Sequence, residues 1–159
     1  MKKDESELRK DIERAIAIRA KHLGITLDMA KDPRSVTVVG RMFLRKEITN
    51  MEFNAAQYFY YLHNEYFRAK GYPSAVYPND KHVGRNYEEA MKVFKKVEAK
   101  YIELLKSLVQ AKQKNPLVVK ALQKIVLDNQ EVSDLFKPLK LALEHLEKYF
   151  NLRRRKWIN

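Results

Sequence analysis

Arg153, Arg154, Arg155 and Lys156 follow one another directly before Trp157 at the carboxyl end of this 159-residue sequence. Cations at that density attract phosphates, and an indole ring beside them offers a face on which a base can stack. Lys120, Lys124, Lys137 and Lys140 lie close by in sequence and are expected to join the terminal run in one phosphate-binding surface. Arg41 and Arg45, with Lys46, sit on an earlier segment where they suit phosphates better than base edges. The plain alternative is a solvated basic tail that serves only solubility. The formal net charge of +12 favours the first reading, and it is unevenly spread. Residues 1–70 hold 14 Lys/Arg against 10 Asp/Glu, whereas residues 71–159 hold 18 against 10. The expected partner is therefore a polyanion, DNA or RNA.

The residues that catalysis needs do not assemble in the sequence. There is no cysteine, so no thiolate nucleophile, disulfide or Cys-ligated metal is expected. His22, His63, His82 and His145 stand singly, with no pair at the i, i+4 spacing of helical metal ligands. Asp80 and His82 share a loop with Lys81, but two polar residues in a segment rich in Pro, Asn and Gly are ordinary loop composition. Four glycines supply neither a phosphate-cradling loop nor a nucleophile elbow. The expectation is a protein without catalytic residues, metal or cofactor.

Tyr58, Phe59, Tyr60 and Tyr61 are consecutive. On a helix, four successive residues turn through about 300°, so these rings cannot all face one core. Either the helix is packed on several sides, or Tyr58, Tyr61 or Tyr66 presents a ring to an unpaired base.

The elements that must carry these groups read as helices throughout. Leu8, Ile12, Ala15, Ile16, Arg19 and Leu23 form one stripe on a helix from about Glu5 to Leu23, ended by Gly24. Thr26 can cap a short turn through Lys31, and Asp32-Pro33 or Ser35 then opens a helix bearing Val36, Val39, Met42, Phe43 and Leu44. The β-branched stretch from Val36 to Val39 leaves a strand as the competing reading. Thr49 and Glu52 have capping-box spacing, which starts a helix near Asn50 that runs to about Lys70. From Tyr87 a heptad-like series, Ala90, Phe94, Val97, Tyr101, Leu104, Leu108 and Ala111, asks for a long partner. Leu105 and Val109 widen that stripe beyond a narrow two-stranded seam. Asn115-Pro116 starts a helix to about Leu127 with Val118, Val119, Leu122, Ile125 and Val126 inward. A last helix carries Leu139, Leu143, Leu146, Tyr149 and Phe150 and frays into the basic tail.

These elements predict an all-α bundle of six or seven helices with a long central helical pair and a basic C-terminal tail. A single domain over residues 1–159 is expected, its helical halves 1–70 and 87–152 joined by the irregular segment 71–86, with the tail at 153–159. No apolar run approaches the roughly 20 residues that span a bilayer, and no secretory signal opens the sequence, so a cytoplasmic protein without membrane contact is expected. The helices flanking Ile48-Thr49 have the outline of a helix-turn-helix, but the second offers Asn50, Glu52, Asn54 and Gln57 where a groove-reading helix carries basic residues. A packed hairpin fits better.

Gly40-Arg41-Met42-Phe43-Leu44, then Glu47-Ile48-Thr49 and Phe53-Asn54-Ala55-Ala56-Gln57, resemble a group of small helical proteins encoded in prophages of alphaproteobacteria, and Leu139 to Phe150 is similar to their last helix. The resemblance implies a phage setting in a bacterial host, where a small basic helical protein is commonly a DNA-packaging component, such as a small terminase subunit, or a regulator of late genes. It implies no particular functional residues. The expected function is thus non-enzymatic DNA binding by a homo-oligomer, with a further phage protein as a partner. The alternative is a structural or adaptor protein that assembles through its long heptad helix.

Overall fold

A computed structural model describes residues 4–71 and 83–158, with side chains described for 4–71 and 87–151. Every element among the described residues is helical, which agrees with the all-α expectation. The chain falls into two compact units, Met1–Thr49 and Asn50–Asn159. The division lies at the start of the long aromatic helix, not in segment 71–86, because that helix is packed by elements that follow it in sequence.

In the first unit, α1 (Glu5–Leu23) ends at Gly24, whose φ of 63° and ψ of 37° are left-handed values that glycine adopts without steric cost. Thr26 caps α2 (Leu27–Lys31) by accepting the Met29 N–H at 3.2 Å. Near its C-terminal end α1 is tied to α2, where Arg19 Nη1 donates to the Ala30 carbonyl at 2.9 Å. The expected apolar stripe of α1 is therefore covered in part. Ala20 is buried, while Leu8 and Ile12 are each 52 % exposed.

A 3₁₀ turn over Pro33–Val36 follows, capped by Asp32, which accepts the Arg34 N–H at 2.9 Å. Thr37 alone is extended and then caps α3 (Val38–Leu44) by accepting the Gly40 N–H at 3.0 Å. The strand alternative for Val36 to Val39 therefore fails: a cap at Thr37 turns the β-branched run into a helix start. Gly40 is required by close approach, since a Cβ there would fall on the Arg34 carbonyl oxygen. The end of α3 is a Schellman motif with Lys46 at the left-handed position, φ 60°; Glu47 N–H donates to the Met42 carbonyl and Lys46 N–H to that of Phe43.

The second unit is built on α4 (Asn50–Gly71), whose 22 residues span about 33 Å. Ala55, Ala56, Phe59 and Leu62 recur at helical spacing on its buried face. That face meets α5 (Val83–Ser107) and α8 (Phe136–Ile158). Helix α5 thus begins four residues before Tyr87, inside the stretch expected to be irregular. A tight turn at Leu108, with its N–H on the Leu105 carbonyl, separates α5 from α6 (Val109–Lys114). Ser107 Oγ donates to the Leu104 carbonyl just there, a bond that competes with the helical ladder. Asn115 Oδ1 accepts the Leu117 N–H at 3.0 Å ahead of α7 (Val118–Ala121).

From α7 the chain widens into a π-helical segment over Leu122–Leu127, so the helix expected to reach Leu127 changes pitch at Leu122. It closes with Asn129 left-handed at φ 53° and Gln130 N–H on the Lys124 carbonyl. After a 3₁₀ turn at Ser133–Leu135, α8 takes Pro138 in its first turn, where a proline costs no internal hydrogen bond. Leu104, Leu108, Ala111, Val118, Leu122, Ile125, Leu139, Leu143 and Leu146 make the core, each at most 2 % exposed.

Candidate nucleic-acid interface

Helix α8 continues through Arg153, Arg154, Arg155, Lys156 and Trp157 to Ile158, although the side chains of these residues lie outside those described. The backbone of residues 153–158 therefore belongs to α8.

The lysines expected to support it divide in two. Lys120 on α7 and Lys137 and Lys140 on α8 are exposed, and none has a carboxylate within 4.0 Å among the described residues. Lys124, in the π segment, lies 4.0 Å from Asp128 Oδ2, and both side chains are about two-fifths exposed. That contact is too long and too wet to neutralise either charge fully.

Arg41 does not belong to the interface. It is buried, at 5 % exposure, and its Nη1 donates to the Ser35 carbonyl at 2.9 Å and to the Val36 carbonyl at 3.4 Å. The guanidinium satisfies carbonyls at the end of the 3₁₀ turn, a structural duty that takes it away from phosphates. Arg45 is exposed at the C-cap of α3. Arg34, not expected to matter, is held by Asp32 at 2.7 Å with its guanidinium 4.9 Å above the Phe43 ring. Its hydrogen bond from the Arg34 side chain, helped by the backbone N–H, holds the Asp32 carboxyl down at about 2.

The structure adds cations that the reading by clusters passed over. The series Tyr101, Leu104, Leu108 and Ala111 is buried, and Lys92, Lys95, Lys96 and Lys106 lie on the side of α5 away from it, all exposed. Their signal was present in the helical phase of the heptad stripe, which assigns each to the outer face. Lys112 and Lys114 continue the exposed set on α6. Lys114 and Lys148 also converge electrostatically on His145, whose pKa is lowered first by burial and then by these two lysines, against an opposing effect of Glu144. A partly desolvated imidazole near positive charge stays neutral more readily.

The aromatic run separates by burial. Phe59 is buried, whereas Tyr58, Tyr60 and Tyr61 are 45 %, 45 % and 56 % exposed. Tyr58 and Phe150 meet edge to face with centroids 4.6 Å apart, while Tyr61 is the most open ring of the run. Tyr66 cannot serve as a stacking platform. Its ring lies 4.6 Å from Tyr101 at 17° and 6.1 Å from Phe94 at 26°, inside the α4–α5 seam. In the same seam His63 Nδ1 and the Tyr101 hydroxyl share a hydrogen bond of 2.8 Å. Burial lowers the His63 pKa, with Asp128 opposing, and burial followed by Tyr66 raises that of Tyr101. Both groups are neutral near pH 7, as a half-buried aromatic layer requires.

Asp80 and His82 lie outside the described residues. Among those described, no three His, Asp or Glu residues gather as metal ligands. A groove of about 390 Å³ between α4 and α5 has Ala69, Ala90, Val93 and Val97 in its lining, with Glu89 and the Glu65–Arg68 ion pair. No described helix is long and apolar enough to cross a membrane. Neither a protein-family model, nor a curated protein, nor a solved structure matches the chain.

Proposed function

We propose that the chain is a non-enzymatic nucleic-acid-binding protein that holds phosphates on the outer faces of α5 to α8. One observation carries this reading: Lys92, Lys95, Lys96, Lys106, Lys112, Lys114, Lys120, Lys137, Lys140 and Lys148 are exposed, and none pairs with a carboxylate among the described residues. Unpaired lysines keep their counterions until a polyanion displaces them, and that release drives binding. Such contacts recognise the backbone and not the sequence. Arg153 to Lys156 extend the same helix and add to the positive field. The resemblance to prophage-encoded proteins makes DNA packaging or late-gene regulation the setting, with duplex DNA preferred over RNA.

Fluorescence anisotropy with a labelled duplex and a labelled RNA strand, between about 50 and 200 mM NaCl, tests this. The expected loss of affinity for the duplex is at least about 10³-fold if six or more phosphates are neutralised. Replacing Lys137, Lys140 and Lys148 together by Gln is expected to flatten the log–log slope by about 2 to 3 units. A chain ending at Leu152 should likewise bind more weakly and with a flatter slope, because it lacks Arg153, Arg154, Arg155 and Lys156. Salt-independent binding, or a triple variant indistinguishable from the parent, overturns the proposal.

A further inference from the structure

The second half of the heptad series that suggested self-assembly is covered inside the second unit, since Tyr101, Leu104, Leu108 and Ala111 are buried. A second series runs beside it and is uncovered. Ile102, Leu105 and Val109 are 42 %, 38 % and 49 % exposed, and with Glu98 and Lys112 they keep alternate spacings of four and three. The chain goes on turning helically through Leu108, whose carbonyl accepts the Lys112 N–H at 2.9 Å, so the five residues line one edge of α5 and α6. They span 15 residues, a rise of about 21 Å. Glu98 is half-buried and Lys112 exposed, and no carboxylate or ammonium pairs with either among the described residues.

We infer that this edge is an interface with a second copy of the chain, docked antiparallel about a two-fold axis at Leu105. The sequence of charges selects both the occupant and the direction. In a two-fold pair, residues equally distant from the axis meet. Glu98 lies seven residues before Leu105 and Lys112 seven after it, so each carboxylate faces the ammonium of the other copy. Ile102, three before, layers with Val109, four after, as core positions alternate in antiparallel helix pairs, and Leu105 meets its own counterpart. A parallel pair would instead set Glu98 against Glu98 and Lys112 against Lys112. Opposite charge at the two ends of a short apolar strip is thus complementary to itself in one orientation only. Three apolar layers make a small interface, so the dimer is weak and forms in the micromolar range. The pair engages Lys112, but Lys92, Lys95, Lys96 and Lys106, opposite the buried seam, remain available to phosphate, so this inference does not depend on nucleic-acid binding.

Sedimentation velocity of the full chain from about 5 to about 500 µM, without nucleic acid, reads the dimer directly. A concentration-dependent shift from monomer to dimer is expected, and Leu105→Glu is expected to weaken association at least tenfold while leaving the far-ultraviolet circular dichroism unchanged. Glu98→Lys or Lys112→Glu alone should each weaken it, and the double exchange should restore it. That rescue separates the charge pairing from any general effect on folding. A monomer throughout the range, as expected if the strip docks a different protein, overturns the inference. So does a dimer indifferent to Leu105→Glu, or a double exchange no better than the single ones.

Discussion

Single residues show how a side chain's duty follows from its neighbours. Lys46 occupies a left-handed backbone position that completes the end of α3, where a Cβ is disfavoured and glycine is the usual occupant. Lys46→Gly is expected to stabilise the protein by about 1 kcal/mol in urea unfolding, despite removing a charge. His63 resists protonation because burial in the α4–α5 seam penalises the cation. Its folded pKa lies below the unfolded value near 6.5, so the stability it confers is complete above that pH and is lost as pH falls through the folded pKa. His145 shifts in the same direction. Unfolding free energy should therefore fall from pH 7.5 to about pH 5.5, and His63→Phe should reduce that fall. Arg41 makes the complementary point: an arginine in a basic stretch reads as a phosphate contact until two carbonyls are found to claim it.

At the scale of elements, periodicity located the helices well but not which part of each stripe is covered. Helix α1 carries six stripe residues in sequence, yet Leu8 and Ile12 near its start are half exposed. In α8, Leu139, Leu143 and Leu146 are fully buried. Leu143→Ala is expected to cost about 2 to 5 kcal/mol, and Leu8→Ala no more than about 0.5 kcal/mol, both measured by urea denaturation. The same distinction divides the long helix, where the second half of one heptad series is internal and its neighbour forms the proposed self-complementary edge. Helix α8 runs through the basic residues to Ile158, since arginine and lysine are good helix formers and extend a helix already nucleated by packing.

For the whole molecule, charge is the governing quantity. With +12 at pH 7 and many lysines lacking carboxylate partners, self-repulsion opposes the folded state. Raising NaCl from about 10 mM to about 150 mM shortens the screening length from about 30 Å to about 8 Å. The melting temperature should rise by several degrees over that range by differential scanning calorimetry, whereas a protein of balanced charge would show little change. The same salt weakens nucleic-acid binding, so the two effects of one charge distribution run in opposite directions and can be measured on one sample.

The all-helical class, the caps at Thr26, the stop at Gly24, the start at Asn50 and the surplus of positive charge were determined by local sequence, because each depends on residues within one or two turns. The partition at Thr49, the burial of Arg41, the enclosure of Tyr66 between Tyr101 and Phe94, and the choice of which α5 stripe is covered were decided only by tertiary structure. The reason is physical. Helical phase fixes which residues share a face, but what covers that face comes from segments distant in the chain, and a sequence read along its length does not measure that distance.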